Sequence, residues 1–429
     1  MDVAARLAEL KSGFSKTFWV ANTLELFERF SYYASKAVLA VYIADYIGLG
    51  PRTADIYAGS VFNTLLYFLP PLAGTVVDRF GFKRSLMICF AIFSAGYFLI
   101  GLAGLPAGAP VVAALGGPKT YLLFALVVTA TGGSLIKPCV VGTVARTTTE
   151  GTKALGYSIY YTLVNIGGAV GPLLAIPVRE NVGIAWVLVM SSATAFLLFV
   201  ATLLFFGEPP RPADAAPPKS MAGVLLDMVK VFGNVRFLTF LVIFSGFWAM
   251  FWQVYYSLPF YVRDVLHFPR FELIVTVGAW TIIFVTVPVT ALAKKLKPIR
   301  AMTIGFLLAS VSWLVMAAVP TLAVTIAAIM IFAVGEGLQA PRFYEYVANL
   351  APKEQVGTYM GFAFLPIAIG TFSAGIIAGH LVERYVEGFR AGTVAHPETM
   401  WLWIAAIGFV STVLMLLYDR FLAPRPAAR

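Results

Sequence analysis

The chain has 429 residues, 60% of them hydrophobic and only 12% charged, with a mean hydropathy of +0.85. An ordinary soluble domain carries roughly 25% charged residues, so this chain has too little polar surface to wrap a core of its size in water. Lipid is the expected solvent. A water-soluble enzyme, a nucleic-acid binder, a disordered chain and a disulfide scaffold are excluded on the same grounds.

A spanning helix takes about 20 apolar residues. The apolar runs predict twelve helices, at 18–47, 54–77, 84–104, 119–145, 153–178, 184–206, 236–262, 271–293, 300–319, 321–349, 356–385 and 399–421. Residues 1–17 lack the apolar core of a signal peptide, so the first helix is expected to be retained. Both termini then share one side. Of the 31 Lys and Arg, 20 fall on that side and 7 on the other, and Arg29, Lys36, Lys137 and Arg342 lie within helices. The positive-inside rule puts both termini in the cytoplasm. The net charge of +10 is therefore a topology signal and does not call for an anionic partner. Cys89 and Cys139 fall in separate spans and the chain has three His, so neither a disulfide framework nor a metal site is expected.

The first helix carries chemistry. Glu25, Glu28, Arg29, Tyr32 and Lys36 recur at intervals of three or four and share one face. An ionisable residue at midplane depth costs at least ~2.5 kcal/mol. Such a stripe must face a wet cavity or other charges. Between the second and third helices runs Gly74-x-x-x-Asp78-Arg79-x-Gly81-x-Lys83-Arg84. Gly81 suits a tight turn. Asp78 at the helix end is expected to pair with Arg79 or with a basic group on a neighbouring helix, as a gate that biases a two-state rocking equilibrium. In the fourth helix, Lys137 follows Gly132-Gly133 and precedes Pro138, residues that loosen the helix locally. Lys137 needs a carboxylate there, and Glu25 or Glu28 is the candidate. Tyr160, Tyr161 and Asn165 on the fifth helix add hydrogen-bonding groups.

Residues 207–235 are proline-rich at their start and form a cytoplasmic linker. Residues 221–232 are expected to lie on the membrane surface as an amphipathic helix. In the second half, the loop Lys294–Arg300 mirrors the basic loop at 78–84. The interval from Pro341 to Gly370 equals that from Pro138 to Gly167. Both features suggest a duplicated six-helix unit, with the substrate at the midplane between the halves. The expected architecture is an all-α membrane protein of twelve transmembrane helices. Residues 1–206 and 236–429 form its two six-helix bundles. Glu336 stands alone in an apolar stretch of the tenth helix, and Arg342 and Glu345 are placed to pair near its end.

The loop motif at 74–84 resembles that of the major facilitator superfamily. Glu25-x-x-Glu28-Arg29-Phe30-x-Tyr32-Tyr33 resembles the first-helix motif of the proton-coupled oligopeptide transporters. Ile136-Lys137-Pro138, Tyr161-x-x-x-Asn165-x-Gly167, Gly335-Glu336…Pro341 and Leu350-Ala351-Pro352…Met360-Gly361 resemble the same family. The resemblance implies a peptide/proton symporter with Glu25, Glu28, Arg29 and Lys137 in proton coupling. It implies Tyr32, Tyr33, Lys36, Tyr67, Tyr161, Asn165, Trp252, Gln253 and Glu336 in the substrate site. Lys36 would take the peptide carboxylate and Glu336 would face the amino terminus. Gly74, Asp78, Arg79, Gly81 and Arg84 would form the gate. It further implies a monomer with no cofactor beyond the coupling proton.

Trp252 stands where the family has an acid, Ala363 where it has a tryptophan and Ala34 where it has a glycine. The asparagine of the eighth helix is missing near Ala279-Trp280. These departures leave a non-peptide solute, imported or exported, as the alternative cargo.

Overall fold

The structure, a computed structural model, describes residues 13–149, 151–210, 220–351 and 356–423. The described residues are almost wholly helical and contain no strand. Each of the twelve predicted runs forms helix. In chain order these are α1 (Lys16–Val41), α2 (Gly50–Phe68), α3 (Pro70–Phe80), α4 (Phe82–Leu102), α5 (Gly117–Thr147), α6 (Lys153–Asn181), α7 (Ile184–Phe205), α8 (Met221–Phe232), α9 (Val235–Asp264), α10 (Phe271–Ala293), α11 (Pro298–Ala318), α12 (Leu322–Leu350), α13 (Tyr359–Arg390) and α14 (Pro397–Phe421). The second predicted run is split at Leu69. Pro70 and Pro71 cannot donate the backbone hydrogen bonds that would carry α2 into α3.

Among the described residues, nine helices are long and apolar enough to cross a membrane, or ten if α2 and α3 count as one bent span. The first helix falls outside that count. It places Glu25, Glu28, Arg29 and Lys36 on one stretch, too many charges for a lipid-facing span. Its burial resolves the conflict: Trp19 and Phe27 are exposed on one face, while Glu25, Glu28, Arg29 and Lys36 are at most 3% exposed on the other.

The contacts divide the chain into two compact units. One is Met1–Val38 with Leu69–Val224; the other is Leu39–Phe68 with Leu225–Arg429. In the first unit, α4 packs on α7 and α5. A Cβ on Gly167 of α6 would sit 2.2 Å from Arg29 Cβ, and one on Gly171 would sit 2.7 Å from the Phe30 carbonyl oxygen. This pair of small residues one turn apart lets the α6 backbone touch α1. In the second unit, α11 packs on α12 and α14, and α9 packs on α13. Gly370 of α13 meets Trp248 Cβ of α9 as Gly167 meets Arg29, with an added Cβ at 2.3 Å. The two glycines that the sequence aligns by spacing thus make corresponding contacts inside their own units.

The second unit also holds the start of α2. Residues Ile56–Asn63 wind as a π-helix. Gly59 lies against Gly375 of α13, where an added Cβ would be 2.9 Å from the Gly375 Cα. Ser60 donates to the Phe372 carbonyl at 2.6 Å, and Asn63 donates to the Tyr256 hydroxyl. Residues 221–232 of the linker form the helix α8. Val231 is buried and Leu225, Leu226 and Val229 are exposed.

Candidate functional site

The charged face of α1 is completed by two other helices of the first unit. Residues 134–135 interrupt α5 just before Ile136, and the restarted turn presents Lys137. Its Nζ donates to Glu25 Oε1 at 2.8 Å and to the Tyr160 hydroxyl of α6 at 2.7 Å. Tyr160 in turn donates to Glu25 Oε1 at 3.3 Å. Arg29 Nε donates to Glu28 Oε2 and lies 3.5 Å from Glu25 Oε1. The Arg29 guanidinium also rests 4.6 Å above the Tyr32 ring and 6.0 Å from that of Tyr33. Of the two carboxylates offered by the sequence, Lys137 takes Glu25, and Arg29 serves both. Two acids and two cations balance, which is the condition for burying charge in the interior. The balance in hydrogen bonds is incomplete. Glu25 Oε2 and Glu28 Oε1 are buried without a hydrogen-bond partner among the described residues.

The other residues expected in this half are arranged around the cluster. Tyr32 is 1% exposed beneath Arg29, so it meets the guanidinium face. Lys36 is buried as well. Tyr161 is exposed, and Asn165 directs its amide to the Tyr161 carbonyl, 2.9 Å away.

In the second unit, Trp252 is buried, with the Tyr67 ring 5.7 Å away and the Tyr256 ring stacked on it at 6.0 Å. An aromatic stack occupies the position of the family's acid. Gln253 is fully buried; it donates to the carbonyls of Ala249 and Ala374 and accepts from Ser257. Its amide is engaged by α9 and α13. Glu336 is partly exposed and sits between Gly335 and Gly337. Those glycines admit the Gly305 carbonyl and Val289 at distances no side chain would allow or tolerate well, 2.7 and 3.2 Å from an added Cβ. Arg342 pairs with Glu345, and its other nitrogen donates to the Leu296 carbonyl, so these two form the end-of-helix pair expected of them. Among the described residues no three His, Cys, Asp or Glu gather as a metal site would require.

The gate loop departs from expectation. Asp78 is exposed and makes no ion pair with a described residue. Arg79 instead lies over the Phe80 ring. The carboxylate that organises the loop is Glu208, just past α7. It accepts from the backbone N–H groups of Phe82 and Lys83 at 2.8 and 2.7 Å. These are orphan donors at the start of α4, where an anion also meets the positive end of the helix dipole. Gly81 enters this cap at φ +82°, and a Cβ there would strike Glu208 Oε1 at 2.9 Å. Gly74 has open space around it, so packing does not require a glycine there. Arg84 is exposed.

Glu208 was not among the residues singled out from sequence. Nor was Asp45, whose carboxylate meets Arg263 at 2.6 Å while Arg263 also holds Asp264. Asp55, fully buried in α2, falls within the predicted second helix and was not singled out either. Glu208 and Asp45 each meet a partner far along the chain, which no local pattern shows.

A helical chain of many apolar spans with a balanced charge cluster buried among its helices has the make-up of a membrane transporter. Comparison with known proteins agrees. The Major Facilitator Superfamily profile matches residues 23–375 and 270–429, and the chain belongs to that family. "Multidrug resistance protein MdtH" of Salmonella newport (strain SL254) is 24% identical over 348 residues, covering 79% of this chain and 78% of the relative. Among solved structures, a POT family transporter in complex with 5-aminolevulinic acid is 18% identical, with TM-score 0.74 over 95% of this chain and 96% of that one. The POT family transporter PepTSo is 17% identical, with TM-score 0.75 over 94% and 97%. At such identities the likeness is one of fold.

Proposed function

We propose that the chain is a proton-coupled symporter of di- and tripeptides, or of similarly small zwitterionic solutes, working by alternating access. The observation that carries this reading is the cluster of Glu25, Glu28, Arg29 and Lys137, with its two bare carboxylate oxygens. An unpaired buried acceptor costs about 1–3 kcal/mol, more when charged, and a proton relieves it. Adding one proton leaves the cluster with one excess positive charge. Lys137 or Arg29 is then released toward another anion, and a solute carboxylate is the natural choice. Lys36, on the same helix face, is assigned the peptide carboxylate, and Glu336 the amino terminus. Tyr32, Tyr33, Tyr67, Tyr161, Asn165, Trp252 and Gln253 are assigned to the walls of the site or to their support. The resemblance of the α1 motif to the oligopeptide transporters supports the same assignment. In this reading the protein sits in a prokaryotic cell membrane as a monomer, with both termini cytoplasmic and no cofactor besides the proton. The loop at 74–84 acts as a gate.

One inward charge gains about 2.3 kcal/mol per 100 mV, enough for roughly fifty-fold accumulation. In proteoliposomes, labelled dialanine is expected to accumulate under an inwardly directed proton gradient. Glu28→Gln is expected to lose that accumulation and keep exchange. Uptake indifferent to the gradient refutes the reading. A second reading is a carrier, import or export, of a non-peptide small molecule. The Trp252 stack in place of an acid favours it, as do the multidrug-resistance relatives. Absence of saturable dialanine uptake, with no inhibition of carrier exchange by a panel of other dipeptides, would decide for it.

A further inference from the structure

Three donors converge on a single oxygen of Glu25. Lys137 Nζ is 2.8 Å from Oε1, the Tyr160 hydroxyl 3.3 Å and Arg29 Nε 3.5 Å. The other oxygen, Oε2, is buried and accepts nothing from a described residue. Tyr160 makes this asymmetry. Its hydroxyl accepts from Lys137 at 2.7 Å while donating to Glu25, so it closes a triangle of lysine, phenol and carboxylate across α5, α6 and α1. Its ring is held from the other side by the buried cluster of Phe14, Phe18 and Val144. The Lys137 ammonium lies 5.2 Å from the ring centroid.

We infer that Tyr160 is a positioning residue for proton coupling: it holds Lys137 on Glu25 Oε1, so that Oε2 is the atom on which the incoming proton binds. The inference rests on the proton-coupled reading above. When the proton is bound at Oε2, the Tyr160 oxygen still accepts from Lys137. The ammonium then remains within reach of its site and returns to Glu25 once the proton leaves. The charged and titratable groups facing Glu25 are Glu28 and Arg29 on its own helix, Lys137 on α5 and Tyr160 on α6. Cys89 and Tyr97 of α4 are in electrostatic range of Glu28.

The test is substrate-free. The full chain in lipid is titrated by pH-induced infrared difference spectroscopy, and the protonated-carboxyl band that disappears in Glu25→Gln is assigned to Glu25. In Tyr160→Phe the ring, its packing and the cation–π contact remain, and only the hydroxyl is lost. One hydrogen bond to an ionised group is worth about one to two pH units in the midpoint of that band, and a shift of that size is expected. Tyr160→Leu, which also removes the ring, is expected to lower the melting temperature, whereas Tyr160→Phe melts near the parent. A Tyr160→Phe midpoint equal to the parent's overturns the inference and leaves the proton-coupled reading standing. If no Glu25 band titrates in the parent, the inference falls; a band that titrates and disappears in Glu28→Gln leaves the proton-coupled reading standing, and if neither acid titrates that reading falls as well.

Discussion

Lys137→Met removes the cation that faces Glu25 and keeps an apolar chain of similar length. Glu25 is 0% exposed, and the lysine side chain only 21%. The carboxylate then retains Tyr160 at 3.3 Å and Arg29 at 3.5 Å, two long contacts in place of a 2.8 Å charge-assisted bond. Leaving one partner of a buried pair uncompensated costs about 3–5 kcal/mol; the partial exposure of Lys137 puts the expected cost near 3 kcal/mol. The loss has a remedy that ordinary packing damage lacks. If Glu25→Gln is added to Lys137→Met, no buried charge is left over, and the double variant is expected to recover most of the lost stability. Thermal unfolding of the purified parent, both single variants and the double variant forms the necessary cycle. Recovery of less than about 1 kcal/mol in the double variant refutes the reading that the two groups balance each other. The single variant is also expected to lose gradient-driven dialanine uptake.

Three further outcomes are expected. Gly167→Val forces a Cβ to within 2.2 Å of Arg29 Cβ and is expected to abolish accumulation of folded protein, whereas Gly74→Ala, with open space around it, is tolerated; fluorescence-detected size exclusion compares them. Glu208→Ala uncaps α4 and is expected to cost about 1 kcal/mol and to speed proteolysis near residue 81, and equal cleavage rates in parent and variant would count against the cap. Arg263→Asp places three acids together with Asp45 and Asp264 and is expected to weaken transport, with Asp45→Arg in the same chain restoring part of it. Because both partners are partly exposed, the coupling is expected to be below about 1 kcal/mol and to shrink in high salt.

The helices were legible because lipid demands long apolar runs and the chain supplies them. The α1 stripe was legible for the same reason inverted: charges at intervals of three and four in an apolar setting can only face inward. Lys137 announced its need for a partner, but the choice of Glu25 over Glu28 depends on the break at residues 134–135, which sequence shows only as a weak spot. Tyr160 and Tyr161 are adjacent and identical in type, and only the helix rotation makes the first a partner of Lys137 and leaves the second exposed. Glu208 was hidden for another reason. Its partners are backbone N–H groups 125 and 126 residues away, which no side-chain pattern advertises. Asp78 looked like the active acid of the loop because it sits in a motif, while the cap is made by a residue outside it.

The contact between Gly167 and Arg29 also says how a proton could be felt. The Arg29 stem lies directly on the backbone of α6 at Gly167, so no side chain stands between the charged helix and its neighbour. Under the proton-coupled proposal, the side-chain tips are the parts of the cluster free to answer the loss of a charge.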